Sequence, residues 1–117
     1  MNKVILSGNL VKDMEVKVLG ELVVGNMIIA NNRGYGEKQK TSFVRCTIFG
    51  EKRVKALEKL LVKGVGVLIE GELDITTKEF EDGFETYTNV IVNELEITRF
   101  KKEEEKEEDK PKARRRK

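Results

Sequence analysis

Apolar residues recur at every second position through most of this chain, and only one segment departs to a helical period. In "TSFVRCTIFG", residues 41–50, Val44, Cys46 and Ile48 alternate with Phe43, Arg45, Thr47 and Phe49. On a strand those two sets face opposite sides of a sheet. "NKVILSGNL" alternates in the same way around Gly8, "MEVKVLG" continues it, and after a turn at Gly20 the β-branched "ELVVGNMIIA" carries a second interior glycine, Gly25. Glycines inside strands mark bulges or bends where a sheet curls. Between that strand and the next, "NNRGYGEKQKT" gathers turn formers and cations and reads as a mobile hairpin loop over 31–41.

The period changes in "EKRVKALEKLLVKG", where Val54, Leu57, Leu60 and Leu61 fall at helical spacing and Lys63-Gly64 supplies a basic last turn and a terminal glycine. "VGVLIEGEL" returns to strand, "DITTKEFEDGFETY" reads as a hairpin with Asp82-Gly83 at its tip, and "TNVIVNELEIT" is a last strand. The sum is an all-β chain of five strands with one short helix between the third and fourth. That order predicts a five-stranded Greek-key barrel of the oligonucleotide/oligosaccharide-binding (OB) type, whereas a sandwich needs about seven strands and no helix.

Length and composition narrow the function. The 117 residues suffice for one domain, expected over 1–100. Residues 101–117, "KKEEEKEEDKPKARRRK", hold nine basic and six acidic side chains and almost nothing apolar, which predicts a disordered charged tail. With those removed the body is about neutral, so overall charge does not argue for nucleic acid; placement must. Cys46 is the only cysteine and there is no histidine. No intrachain disulfide, cysteine zinc site or histidine-based nucleophile can be assembled, and an enzyme, a metal or a cofactor is not expected. No apolar run approaches the roughly 18 residues of a membrane helix and no export signal is legible, which makes the cytoplasm the default.

If Val44, Cys46 and Ile48 enter the core, Phe43, Arg45, Thr47 and Phe49 line the outside. Either a second subunit covers those rings, or inside and outside are exchanged, or the rings serve a ligand. Aromatic rings stack on unpaired bases at roughly 1–3 kcal/mol each, and arginine neutralises phosphate or lies on a base, neither depending on base identity. Tyr35 in the loop, with Arg33, Lys38 and Lys40, forms a basic finger able to fold over a strand. Lys3 and the pair Lys52-Arg53 flank the face. Phe80, Phe84 and Tyr87 decorate the last hairpin, at least one of them open to a packing role.

"NKVILSGNLVKDMEV", "SFVRCTIFG" before a helix, "LVKGVGVLIEGEL" and "YTNVIVNELEI" together resemble the bacterial-type single-stranded DNA-binding protein family over about residues 2–100. The resemblance implies a homotetramer of OB folds, with a dimer as the alternative, that coats single-stranded DNA in replication, recombination and repair without cofactor or catalysis. It assigns DNA contacts to Tyr35, Phe43, Arg45 and Phe49. A fourth aromatic falls on Lys78 when counted from "GEL" and on Phe80 when counted back from the hairpin tip, and Phe80 is the one chosen. Asp74 and Ile75 stand where relatives often carry basic residues, which weakens phosphate contact along that edge. The acidic tip that recruits replication and repair proteins in relatives is replaced by "ARRRK", so recruitment through it is not expected. Other readings of the same fold are a primosome-like accessory dimer that works mainly by docking proteins, and an RNA-binding module.

Overall fold

A computed structural model of the chain describes residues 1–100. The tail expected over 101–117 lies outside the described residues. Six strands form one sheet: β1 (Val4–Leu10), β2 (Glu15–Leu19), β3 (Leu22–Arg33), β4 (Lys40–Phe49), β5 (Gly66–Phe80) and β6 (Gly83–Arg99), with α1 (Glu51–Glu58) between β4 and β5. The order is β1-β5-β6-β4-β3-β2, and a further pairing of β1 with β3 closes the first five into a ring. All pairs are antiparallel except β4 with β6, which meet in parallel at Cys46–Val90 and Thr47–Ile91.

The first strand expected from the sequence is thus two. β1 pairs with β5 along Val4–Asn9 and with β3 at Asn9 and Leu10, whereas β2 pairs with β3 alone. Gly8 lies at this passage between partners. It keeps regular register with Val67, so it is a point of close approach, not a bulge. A Cβ there would lie 2.6 Å from the Ala30 carbonyl oxygen. Gly25 likewise makes space, here for the Met14 side chain, whose sulfur would sit 2.6 Å from an added Cβ. The register shifts fall in β5 instead, between Gly66 and Val67 and between Glu70 and Gly71.

Cross-strand side chains lengthen the β3–β4 hairpin beyond its expected limits. Asn32 accepts from the Thr41 hydroxyl at 2.5 Å, and the Arg33 guanidinium donates to Asn31 Oδ1 and Ser42 Oγ, each at 2.9 Å. The loop therefore shrinks to Gly34–Gln39, around a 3-10 turn at Gly36–Lys38. At the other hairpin Phe80 pairs with Gly83, leaving Glu81 and Asp82 as the tip residues.

The helix ends at Glu58, short of the expected Gly64. Tertiary hydrogen bonds override the helical period: Leu60 N and Leu61 N both donate to Leu57 O, after which Met14 N donates to Leu61 O and Gly64 N to Leu10 O. This turns Leu61 and Val65 into the ring's interior, where they join Val54, Met27, Ile29, Cys46, Ile48, Val67, Ile69, Val90 and Val92. Full burial stabilises each Val, Leu or Ile by about 1.5–3 kcal/mol relative to exposure.

Candidate nucleic-acid interface

Strand register places the exterior residues in rows. Lys17 of β2, Val24 of β3 and Phe49 of β4 stand opposite one another, as do Glu15, Asn26 and Thr47; Ile28 faces Arg45 and Ala30 faces Phe43. Directly paired residues share a face of the sheet. The rows therefore build one continuous exterior surface over β2, β3 and β4. Inward on β4, Cys46 and Ile48 are 1% and 0% exposed and Val44 packs partly buried against the core, while outward Phe43 is 67% and Phe49 39% exposed and Arg45 is open. The sidedness expected from alternation holds, and neither exchange of faces nor cover by this chain's described residues applies.

Thr47 departs from that expectation. It occupies the outward face but is only 8% exposed, because its hydroxyl is engaged by asparagines from both neighbouring strands. It donates to Asn26 Oδ1 at 3.0 Å and accepts from Asn89 Nδ2 at 2.8 Å. This row floors a groove of about 310 Å³ whose lining includes Lys12, Lys17, Arg45, Tyr87 and Asn89. Arg45 and Lys17 have no salt bridge among the described residues; Lys12 pairs with Glu15 at 3.8 Å. Bare cations in a concave site concentrate positive potential where an anionic backbone could lie.

The β5–β6 hairpin extends the surface. Asp74 pairs with Asn89, Thr76 with Tyr87 and Lys78 with Glu85 on the groove side, and alternation puts Phe80 on that side as well. Lys78 Nζ lies 5.4 Å from the centre of the Tyr87 ring, and the Tyr87 hydroxyl donates to Glu85. That bond to a carboxylate holds the phenol's pKa above its ordinary value. Leu73, Ile75 and Phe84 alternate onto the opposite side of the hairpin. Phe80 and Tyr87 are thus the hairpin aromatics on the groove side, and Lys78 supports the Tyr87 ring.

The other sequence-predicted residues are distributed differently. Tyr35, 91% exposed, caps the 3-10 turn that contains Lys38. Arg33 and Lys40 pair with each other and alternate onto the side of Ser42, away from Phe43, and Arg33 is held by Asn31 and Ser42. Lys52 is an exposed helix residue, whereas Arg53 turns back to donate to the carbonyls of Val92 and Asn93 at 3.4 and 3.1 Å, a staple between α1 and β6. Lys3 belongs to a second groove, lined by Ile5, Leu68 and Glu94 among others, and pairs with Glu70 at 3.6 Å. Sequence reasoning missed Lys12, Lys17, Asn26 and Asn89. The pairing of β2 that carries Lys17 into the surface, and the parallel β4–β6 contact that brings Asn89 to Thr47, leave no local sequence signal.

A closed ring of strands with one helix, bearing rings and cations on its exterior, defines an OB-fold protein with a surface suited to an extended anionic polymer. Known proteins agree on the architecture: the SSB of Plasmodium falciparum, solved in complex with ssDNA, superposes with a TM-score of 0.73 at 23% identity, covering 87% of this chain and 96% of that one. The chain belongs to the single-strand binding protein family, whose model matches residues 1–110. Single-stranded DNA-binding proteins of Rickettsia felis and Rickettsia typhi are each 32% identical over 99 residues, covering 79% of this chain and 65% of theirs. The chain thus spans just under two thirds of the length of those relatives.

Proposed function

We propose that the protein binds single-stranded DNA without regard to sequence, stacking bases on Phe43, Phe49, Phe80 and Tyr35 and placing phosphates near Arg45, Lys38 and Lys17. The observation that carries this reading is the β4 exterior, where two exposed phenylalanines flank an arginine that makes no ion pair among the described residues, over an apolar row facing the core. Stacking tolerates every base and phosphate contact is indifferent to sequence, so such a surface protects unpaired strands in replication, recombination and repair. Arg33 and Lys40 contribute to the field of the loop, while Lys3 and Arg53 are committed to contacts elsewhere and are left out of the interface; Lys52 stays at its margin.

Family membership supports assembly as a homotetramer, and the exposed Ile5 and Leu68 of the second groove supply apolar surface for self-association. Light scattering separates a tetramer from a dimer. A cytoplasmic location, in a bacterial nucleoid or a phage-infected cell, accords with this role; among the described residues no helix is long and apolar enough to cross a membrane. For the tail we propose that Arg114, Arg115, Arg116 and Lys117 add phosphate contacts restrained by the acidic run before them, which a deletion after Phe100 tests through the salt slope.

The chain has no tryptophan and two tyrosines, so tyrosine emission reports on binding. Addition of oligo(dT) is expected to quench it, with log affinity falling against log salt by about 0.7 for each phosphate neutralised. Absence of quenching and of any mobility shift with oligo(dT) at low salt contradicts the proposal. Tight binding to partner proteins without strand binding supports the accessory-dimer reading instead.

A further inference from the structure

Thr47 interrupts an otherwise open strand face, and its hydrogen bonds fix what its neighbours can still do. Asn26, Thr47 and Asn89 form a row across the three adjacent strands β3, β4 and β6 at the bottom of the groove lined by Arg45 and Tyr87. The hydroxyl donates to the Asn26 carbonyl and accepts from the Asn89 amide. Among the described residues, the Asn26 amide nitrogen and the Asn89 carbonyl oxygen have no protein side-chain partner. One side chain amide therefore offers donors and the other an acceptor, separated by a hydroxyl that is already satisfied. If both amides turn over and the chain of donors reverses, the same two valences simply exchange ends.

We propose that this row is a subsite for the Watson–Crick edge of one unpaired base, resting on the single-strand reading above. Each of the four DNA bases carries an acceptor beside a donor on that edge, in one order in A and C and in the other in G and T, so a donor and an acceptor that exchange ends as the amides turn over accept any base without reading which it is. The same edge is occupied in a duplex. Stacking and phosphate contacts cannot sense pairing in this way; the row recognises that a base is free. The groove's volume, about 310 Å³, is ample for a base, with the cation of Arg45 at hand for its phosphate.

The test compares two strands with equal charge and similar stacking: oligo(dT) and the same oligomer built from N3-methylthymine, whose edge donor is replaced by a methyl group. The proposal predicts roughly tenfold weaker binding of the methylated strand by the wild-type protein, in the range found for paired hydrogen bonds to a base edge. A variant carrying Asn26→Ala and Asn89→Ala is expected to bind both strands alike, more weakly than wild type binds oligo(dT). Equal wild-type affinity for the two strands overturns the subsite while leaving strand binding intact. Failure of the wild type to bind either strand overturns the single-strand reading and the subsite with it. Should the double variant not fold, the wild-type comparison decides alone.

Discussion

Two grooves on the outside of the same ring of strands have opposite characters. The one over β3 and β4 presents Arg45 and Lys17, without an ion pair among the described residues, beside Tyr87 and a row of asparagine and threonine. The one over β1, β5 and β6 presents Ile5 and Leu68 among Glu70, Glu94 and Glu96, with its lysine, Lys3, already facing Glu70. Backbone geometry does not distinguish them, since both are exterior strand faces of alternating residues. Chemistry does: carboxylates and aliphatic chains repel or ignore a phosphodiester backbone, and free cations with flat rings attract it. An OB fold by itself therefore says little about where a strand lies, and the proposed interface rests on the side chains of one face and not on the fold.

The contrast breaks most visibly at Phe43. Phe43→Ala is expected to weaken oligonucleotide binding by about 1–3 kcal/mol, alike for strands of different composition, in titrations followed by tyrosine emission. A loss confined to one base composition points to sequence reading instead. Arg45→Gln acts on the phosphate side of the same face. Its expected signature is a salt slope shallower by about 0.7 as well as weaker binding, measured at several salt concentrations. Lys3→Ala sharpens the comparison from the other groove. Its affinity for single strands is expected to stay within about twofold of wild type, and the lost surface ion pair is worth at most about 1 kcal/mol of stability by chemical denaturation.

A last effect, confined to high pH, concerns the interior beneath both faces. Burial pushes the Cys46 thiol from its usual 9.0 up to about 12, because a thiolate there would lack solvation. The unfolded chain then releases this proton at a lower pH than the folded one. Cys46 contributes nothing adverse below pH 9, and stability is lost as pH rises through the window from 9 to about 12. Denaturant midpoints for the wild type and Cys46→Val, compared across that window, are expected to diverge, the valine protein holding its midpoint better.

How far the sequence reaches can be seen on β4. Period two alone places Cys46 and Ile48 inside and Phe43, Arg45 and Phe49 outside, because adjacent side chains must point oppositely. The same rule cannot foresee that Thr47 is buried on the outside, since its cover comes from Asn89, 42 positions away in sequence. Helical spacing locates α1 but not its end, where bonds from Met14 and Gly64 draw the chain into the core. Cationic residues near the face are legible as types only. Arg53 and Lys3 look like Arg45 in sequence, and only the fold shows that their charges meet the β6 carbonyls and Glu70. Interior glycines announce that something comes close at Gly8 and Gly25, without telling that one admits a carbonyl and the other a methionine.

The most direct test maps oligo(dT) onto the protein by backbone amide chemical-shift changes in two-dimensional nitrogen–proton spectra. The account predicts the largest changes at Phe43, Arg45, Phe49 and Tyr87 and little at Ile5, Leu68 or Glu94. Changes concentrated on the glutamate-lined groove, with the β4 exterior silent, contradict it.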